Sequence, residues 1–480
     1  MPFPDFPRSG VAPDHPRMQT RLRPRPRASL AALAMLCALA ACKSLPEVDP
    51  GTPAKAAPTI ETPRGQLPPK QASALVARRW ANASTDLKSL AALEEQATGI
   101  PLIAGNRVSL LFDGPATMRE MMAAARAATS SINLETYIFD QDAVGIEFAD
   151  LLIEKQRQGV QVNLMVDAVG ALATPGAFFQ RMRDAGIRVV VFNPVNPAKA
   201  KGNWDLNNRD HRKLMVVDGR IAFTGGINIS STYANSSLFR SKHKQAKVAE
   251  DEVGWRDTHI KIEGPAVAAL QYSFVELWTR QEGGELNKAD YFPALAPAGD
   301  KLMRVLSTEP ASDYAIYKSL LVAIGESKKS IHITAAYFVP DEQTVDALVA
   351  AARRGVDVKL VLPGVSDHGM IRYAGQAFYD KLLKGGVKIH ELQIAVLHAK
   401  TAVIDGAWST IGSANIDRRS FIHNYELNVV VVDPAFGRDM ESAFNEDLKD
   451  SREVTLEQWR HRPWSDRIRE WASSLAGYWI

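Results

Sequence analysis

Two stretches of the chain repeat the same alternation of apolar and polar positions. SINLETYIF (131–139) reads as a strand, IEFADLLIEKQRQG (146–159) has a helical period, and VQVNLMVD (160–167) returns to a strand. The succession recurs as SIHITAAYF (330–338), TVDALVAAARRG (344–355) and VDVKLVLP (356–363). Each is a β-α-β unit, and strands this rich in Val, Ile and Leu predict parallel pairing with helices on both faces. A further helix and strand follow in each copy, with Gly186-Ile187-Arg188-Val189 matching Gly386-Val387-Lys388-Ile389. The pattern predicts an α/β fold in two similar halves, 105–296 and 297–455, divided near YFPALAPAGD (291–300). A helical segment of unclear role, 71–104, precedes them. A Trp-rich C-terminal helix, 456–480, follows.

The duplication extends to chemistry. HRKLMVVDGRIAFTGGIN (211–228) and HAKTAVIDGAWSTIGSAN (398–415) carry His, Lys, Asp, Gly and Asn at the same offsets. One such spacing is weak, whereas two copies at corresponding places in a repeat are specific. In a strand, residues i and i+2 share a face, so His211 projects with Lys213 and His398 with Lys400. Asp218-Gly219 and Asp405-Gly406 fit tight hairpin turns, which gives these aspartates a structural use as well as a polar one. Asn228, Asn415 and Ser413 follow the return strands and can donate to anionic oxygens. Together the copies offer two imidazoles, two ammonium groups and two amides, a set suited to displacement at phosphorus. No cofactor or metal is required, and the histidines lack zinc-ligand spacings.

A carboxylate that orients an imidazole completes such a site. In NYELNVVVV (424–432), Asn424, Glu426 and Asn428 share a strand face, and Glu426, which follows His398 in the second half, is the candidate. Asp257, in WRDTHIKIEG (255–264), is its counterpart in the first half. The alternative is that both are surface charges.

Composition changes the picture mainly at the N-terminus. Of 480 residues 46% are hydrophobic and 23% charged, which is globular, and the formal charge is +3. Residues 1–41 hold six arginines against two aspartates, leaving 51 basic and 52 acidic side chains beyond them. That near-neutral remainder gives little support to nucleic acid as a partner. Arg21 to Arg27, the apolar run SLAALAMLCALAA and Cys42 form an export signal too short to span a bilayer; counted from Met18 its length is conventional. Leu39-Ala40-Ala41-Cys42 resembles the lipobox of bacterial lipoproteins, which implies lipidation of Cys42. Residues 42–70 then form a tether, with seven prolines between 43 and 70, able to reach roughly 85 Å if extended. Lys43 after the cysteine resembles outer-membrane sorting, so the expected location is the bacterial cell envelope, lipid-anchored on the periplasmic face of the outer membrane.

Taken together, RDHRKLMVVD, FTGGINIS, RDTHIKIEGPAV, TAAYFVPD, LHAKTAVIDG, GSANIDRRSF and LEQWRHRPWSDRI resemble the phospholipase D superfamily, and within it the bacterial cardiolipin synthases. The resemblance covers about residues 105–480. It implies two α-β-α halves related by pseudo-twofold symmetry around one active site at their interface. It also implies a phosphohistidine intermediate and transfer of a phosphatidyl group between phospholipids such as phosphatidylglycerol. Carried over, the catalytic set is His211, Lys213, Asp218, His398, Lys400 and Asp405, with Asn228 and Asn415 on the phosphate. Sequence does not fix which histidine attacks; His211 is taken as nucleophile and His398 as acid/base. Hydrolysis is the alternative, of phospholipid first and, behind it, of other phosphodiesters as in nuclease relatives. The chain departs from the family in carrying a lipobox in place of paired N-terminal membrane helices. A second departure is the insertion 231–255, with its cluster Arg240, Lys242, His243, Lys244 and Lys247. In the C-terminal helix Ile468, Trp471, Leu475 and Trp479 make an apolar stripe, suited either to a bilayer interface or to packing on the core.

Overall fold

A computed structural model describes residues 44–49, 51, 57–81, 83, 85–196, 198, 205–234, 254–286 and 290–474. The signal-like stretch 1–41, Cys42, the basic cluster of the insertion, Leu475 and Trp479 lie outside the described residues.

Each repeat builds a parallel three-strand core. Ser131–Thr136, Gln161–Asp167 and Arg188–Phe192 pair in parallel in the first half, and Ser330–Ala335, Asp357–Val365 and Lys388–Leu397 do so in the second. Their crossover helices start alike, because the carboxylates of Asp142 and Asp341 accept the free N–H groups of the first turns of Ala143–Arg157 and Glu342–Arg353. They also stop alike, at Gly159 and Gly355, whose φ values of 93° and 92° suit glycine after a helix end.

The sheets are mixed rather than wholly parallel. On the other flank of each first strand lies an antiparallel hairpin, Leu214–Val217 with Ile221–Gly225 and Lys400–Ile404 with Trp408–Gly412. The cause is local. Asp218 and Gly219 (φ 52° and 63°), like Asp405 and Gly406 (53° and 63°), are the central residues of tight turns closed by the Arg220 and Ala407 N–H groups on the Val217 and Ile404 carbonyls, with a hand that matches strand twist. The halves join through equivalent strands: Leu102–Leu111 runs antiparallel to Lys301–Thr308, as a twofold relation requires. His259–Glu263 and Asn424–Val432 flank that pair, so one sheet runs through both halves.

The tether ends earlier than its composition suggests. Ile60 is fully buried and pairs beside Leu102, while Thr59 donates its N–H and hydroxyl to Glu95 at 2.5 and 2.6 Å. Helix Pro69–Arg79 begins inside it, with proline in the first turn, where no N–H is needed. The segment 71–104 covers the second half. Glu94, fully buried on helix Leu87–Thr98, pairs with Arg304 and accepts from Ser319 at 2.5 Å, and the Trp80 indole donates to the Val432 carbonyl at 3.0 Å. Among the described residues no helix is long and apolar enough to cross a membrane.

Candidate active site

The paired motifs meet because two short parallel pairings cross between the halves. Arg209–Asp210 runs beside Asn424–Tyr425, and Trp255–Arg256 beside Val396–Leu397. The next residue in each motif strand is a histidine held by the other half. His211 N–H donates to the Tyr425 carbonyl at 3.0 Å, and His398 N–H to the Arg256 carbonyl at 2.8 Å. The residue after each acceptor is a carboxylate. Glu426 therefore lies 3.0 and 3.1 Å from His211 Nδ1, and Asp257 lies 2.6 Å from His398 Nδ1. This corrects the pairing suggested by sequence spacing: each imidazole is oriented by the carboxylate of the opposite half. Neither carboxylate is a surface charge, since both are fully buried.

With Nδ1 committed to a carboxylate, Nε2 of each ring is left for the cleft that both line. That cleft has a volume of about 550 Å³ and is also bordered by Asn228, Asn415, Tyr137 and Tyr337. His211 and Lys213 form an extended segment just before the strand proper, and the Lys213 ammonium folds back onto the His211 carbonyl at 2.5 Å. Lys400 does the same with the His398 carbonyl.

Burial sets the protonation states. It pushes His211 down to about 4 against the pull of Glu426, and it lowers His398, with Lys400 adding repulsion. Burial also brings Lys213 down to about 7 and lowers Lys400. The carboxylates move the other way. Burial would raise Glu426, but His211 and Lys213 outweigh it and hold the group at about 2. His398 and Lys400 likewise outweigh burial and keep Asp257 below its ordinary value. The His211–Glu426 pair is thus a neutral imidazole on an ionised carboxylate.

Three expected roles change. Asp218 and Asp405 do not reach the imidazoles; five residues beyond each lysine, they are roughly 16 Å along the strand. Asp218 accepts the backbone N–H groups of Thr129, Ser130 and Ser131, and Asp405 those of Lys328, Lys329 and Ser330. Both clamp the hairpin turn to the start of the neighbouring strand. Ser413 does not face the cleft either. Its hydroxyl donates to Glu426 at 2.5 Å, beside Asn424, which donates to the other carboxylate oxygen at 3.0 Å.

The two asparagines line the cleft but differ. Asn228 accepts from the Ile138 N–H at 3.1 Å and donates to the Tyr233 hydroxyl at 2.9 Å, so its amide holds the wall together. Asn415 Oδ1 is buried and has no protein partner.

Sequence reasoning missed the aromatic lining. Tyr137 meets His211 edge-on at 5.1 Å, Tyr337 meets His398 at 6.3 Å, and Trp255 lies 4.9 Å from His398. The two tyrosines follow the first strand of each repeat, one position apart in the aligned copies, and that near-coincidence was the available signal. Among the described residues no group of three or more His, Cys, Asp or Glu could hold a metal ion.

Two similar halves around one imidazole-paired cleft define a phospholipase D-like fold. The crystal structure of phosphatidylserine synthase from Haemophilus influenzae Rd KW20 matches it with a TM-score of 0.58, covering 81% of this chain and 99% of that one at 12% identity. Residues 121–239 and 320–448 match the family described as cardiolipin synthase, PLD-like domain. The chain is 34% identical to the cardiolipin synthase of Geobacillus kaustophilus, over 78% of this chain and 72% of that protein. It is 33% identical to the major cardiolipin synthase of Bacillus subtilis, over 77% and 74%. The chain belongs to the phospholipase D-like cardiolipin synthase family and is a phosphatidyltransferase of that type.

Proposed function

We propose that this enzyme moves a phosphatidyl group from phosphatidylglycerol, or a similar donor, to the hydroxyl of a second phospholipid through a phosphohistidine on His211. The observation that carries the reading is the crossed pair of histidine–carboxylate contacts on one cleft. His211 Nε2 attacks the donor phosphorus and forms the P–N bond, while His398, entering the step as the imidazolium with Nδ1–H on Asp257, gives its Nε2 proton to the departing alcohol oxygen as the P–O bond breaks. The acceptor hydroxyl then gives its proton to His398 and attacks phosphorus, and the P–N bond breaks to return neutral His211. A His211 held near 4 is unprotonated at neutral pH and ready to attack. Lys213 and Lys400, held on the His211 and His398 carbonyls, and Asn415, which borders the cleft, are the groups that stabilise charge on the non-bridging oxygens.

The test is turnover of phosphatidylglycerol by the purified full chain with and without a water-soluble alcohol. Cardiolipin plus glycerol supports transfer, phosphatidic acid supports hydrolysis, and full activity in His211→Asn contradicts the mechanism. Lipidation of Cys42, with anchoring on the periplasmic face of the outer membrane, belongs to the same proposal and rests on the Arg-rich stretch, the apolar run and Lys43. Fatty-acid labelling that persists in Cys42→Ser contradicts it.

A further inference from the structure

The last described helix, Trp464–Ser474, is amphipathic in the reverse of the usual sense. Its buried residues are Glu470 and Ser473, whereas Trp464, Ile468 and Trp471 are 75%, 52% and 65% exposed. These three recur at i, i+4 and i+7, on one face. The inward face is fixed by polar contacts. Arg462 grips both Glu470 oxygens, at 2.8 and 2.7 Å, and Arg469 donates to the Tyr373 hydroxyl at 3.2 Å. Core packing, one of the two uses open to this stripe from sequence, is therefore not what the described part of the helix does. Two tryptophans and an isoleucine on one outward face, with exposed Arg467 between them, have the composition of a helix lying in a bilayer interface.

Position gives this face a partner. The helix packs on helix Gly369–Gln376, whose first residues, Gly369, Met370 and Ile371, border the catalytic cleft. Met370 is itself 58% exposed. Arg460 and Arg467 are exposed on the same terminal segment, and Arg467 donates to the Arg460 carbonyl at 2.6 Å, which keeps the two together. Exposed tryptophan beside arginine suits an anionic phospholipid surface, which also holds the substrate of a phosphatidyltransferase.

We propose that the Trp464–Ile468–Trp471 face docks on an anionic phospholipid bilayer, bringing the cleft rim at Met370 to the lipid headgroups. The inference rests on the phospholipid reading above and adds where the enzyme touches the bilayer.

The test uses the full chain with Cys42→Ser, so that no acyl chain contributes, and vesicles of phosphatidylglycerol or of phosphatidylcholine. The double variant Trp464→Ser/Trp471→Ser should bind phosphatidylglycerol vesicles about a hundredfold more weakly. It should keep its turnover of a dispersed short-chain phosphatidylglycerol. In the parent protein, brominated acyl chains should quench tryptophan fluorescence that the double variant lacks. Unchanged vesicle affinity, absent quenching, or an equal loss on dispersed substrate would overturn the docking face. So would sedimentation showing that the substitutions dissolve a dimer, since the face would then belong to a second copy. Absence of turnover on dispersed lipid in the parent protein would instead strike the phospholipid reading.

Discussion

The two halves present the same imidazole, ammonium and turn aspartate, yet they rest them on different layers. Beneath His211 lie five buried charged side chains, Glu135, Asp167, Arg209, Asp210 and Arg212. At the equivalent positions the second half has Thr334, Pro363, Val396, Leu397 and Ala399. Glu135 and Asp210 are both pushed up by burial, against the pull of Arg212. Behind His398 there is instead a single ion pair, Arg256 gripping Asp447 at 2.7 and 3.0 Å, and it too crosses between halves. Duplication therefore preserved the motif residues and let their support diverge, as expected if the two histidines do different work.

The largest break in the comparison is predicted for the rings themselves. His211→Asn and His398→Asn should each lose about 10⁴-fold in turnover, the scale for removing one member of a concerted catalytic set. Activity surviving in either would mean that one half suffices.

Next is the support of His398. Asp447→Ala strands the Arg256 guanidinium in the interior, and a broken buried pair costs about 3–5 kcal/mol. Thermal and denaturant unfolding measure the loss, and a variant within 1 kcal/mol of the parent would show that the crossed pair does not hold the halves together.

The crossed orientation is broken by Glu426→Gln and Asp257→Asn, each expected to lower turnover about 10² to 10³-fold with the fold intact. Their separation comes from histidine ring NMR. Glu426→Gln should shift the His211 nitrogens and leave those of His398, and Asp257→Asn should do the reverse.

Legibility follows the same line. The paired motif, the turn type and the β-α-β succession are local, and each was readable because its residues lie within a few positions of one another. The owner of each carboxylate was not. His211 and Glu426 are 215 residues apart, His398 and Asp257 are 141 apart, and only the parallel pairings between halves bring them together. Spacing along the chain favoured the nearer, wrong partner. Ser413 was misread for a related reason: a hydroxyl after a return strand looks available until the buried carboxylate behind it is known. The strand at Ile60 hid in a proline-rich stretch because a three-residue strand carries almost no period.

A smaller contrast separates the asparagines. Asn228→Ala removes two wall contacts and should cost about 1–3 kcal/mol of stability. Asn415→Ala should leave stability unchanged and lower turnover about tenfold. Equal effects on both properties would erase the distinction.

The smallest effect is on pH. With His211 held near 4, the acid limb of kcat/KM should fall as pH drops through about 4. Glu426 raises that imidazole, so Glu426→Gln should move the limb lower still; an upward move contradicts the assignment. The sign for stability agrees. A histidine whose folded value lies below its unfolded 6.5 stabilises fully above 6.5 and loses that contribution as pH falls toward 4.

The central claim, one site made by exchange between unequal halves with His211 attacking, is tested most directly by quenching turnover of a phosphorus-labelled donor in alkali and mapping the labelled peptide. Label is expected on His211 and none on His398. Label on His398, or none on either ring during active turnover, would contradict it.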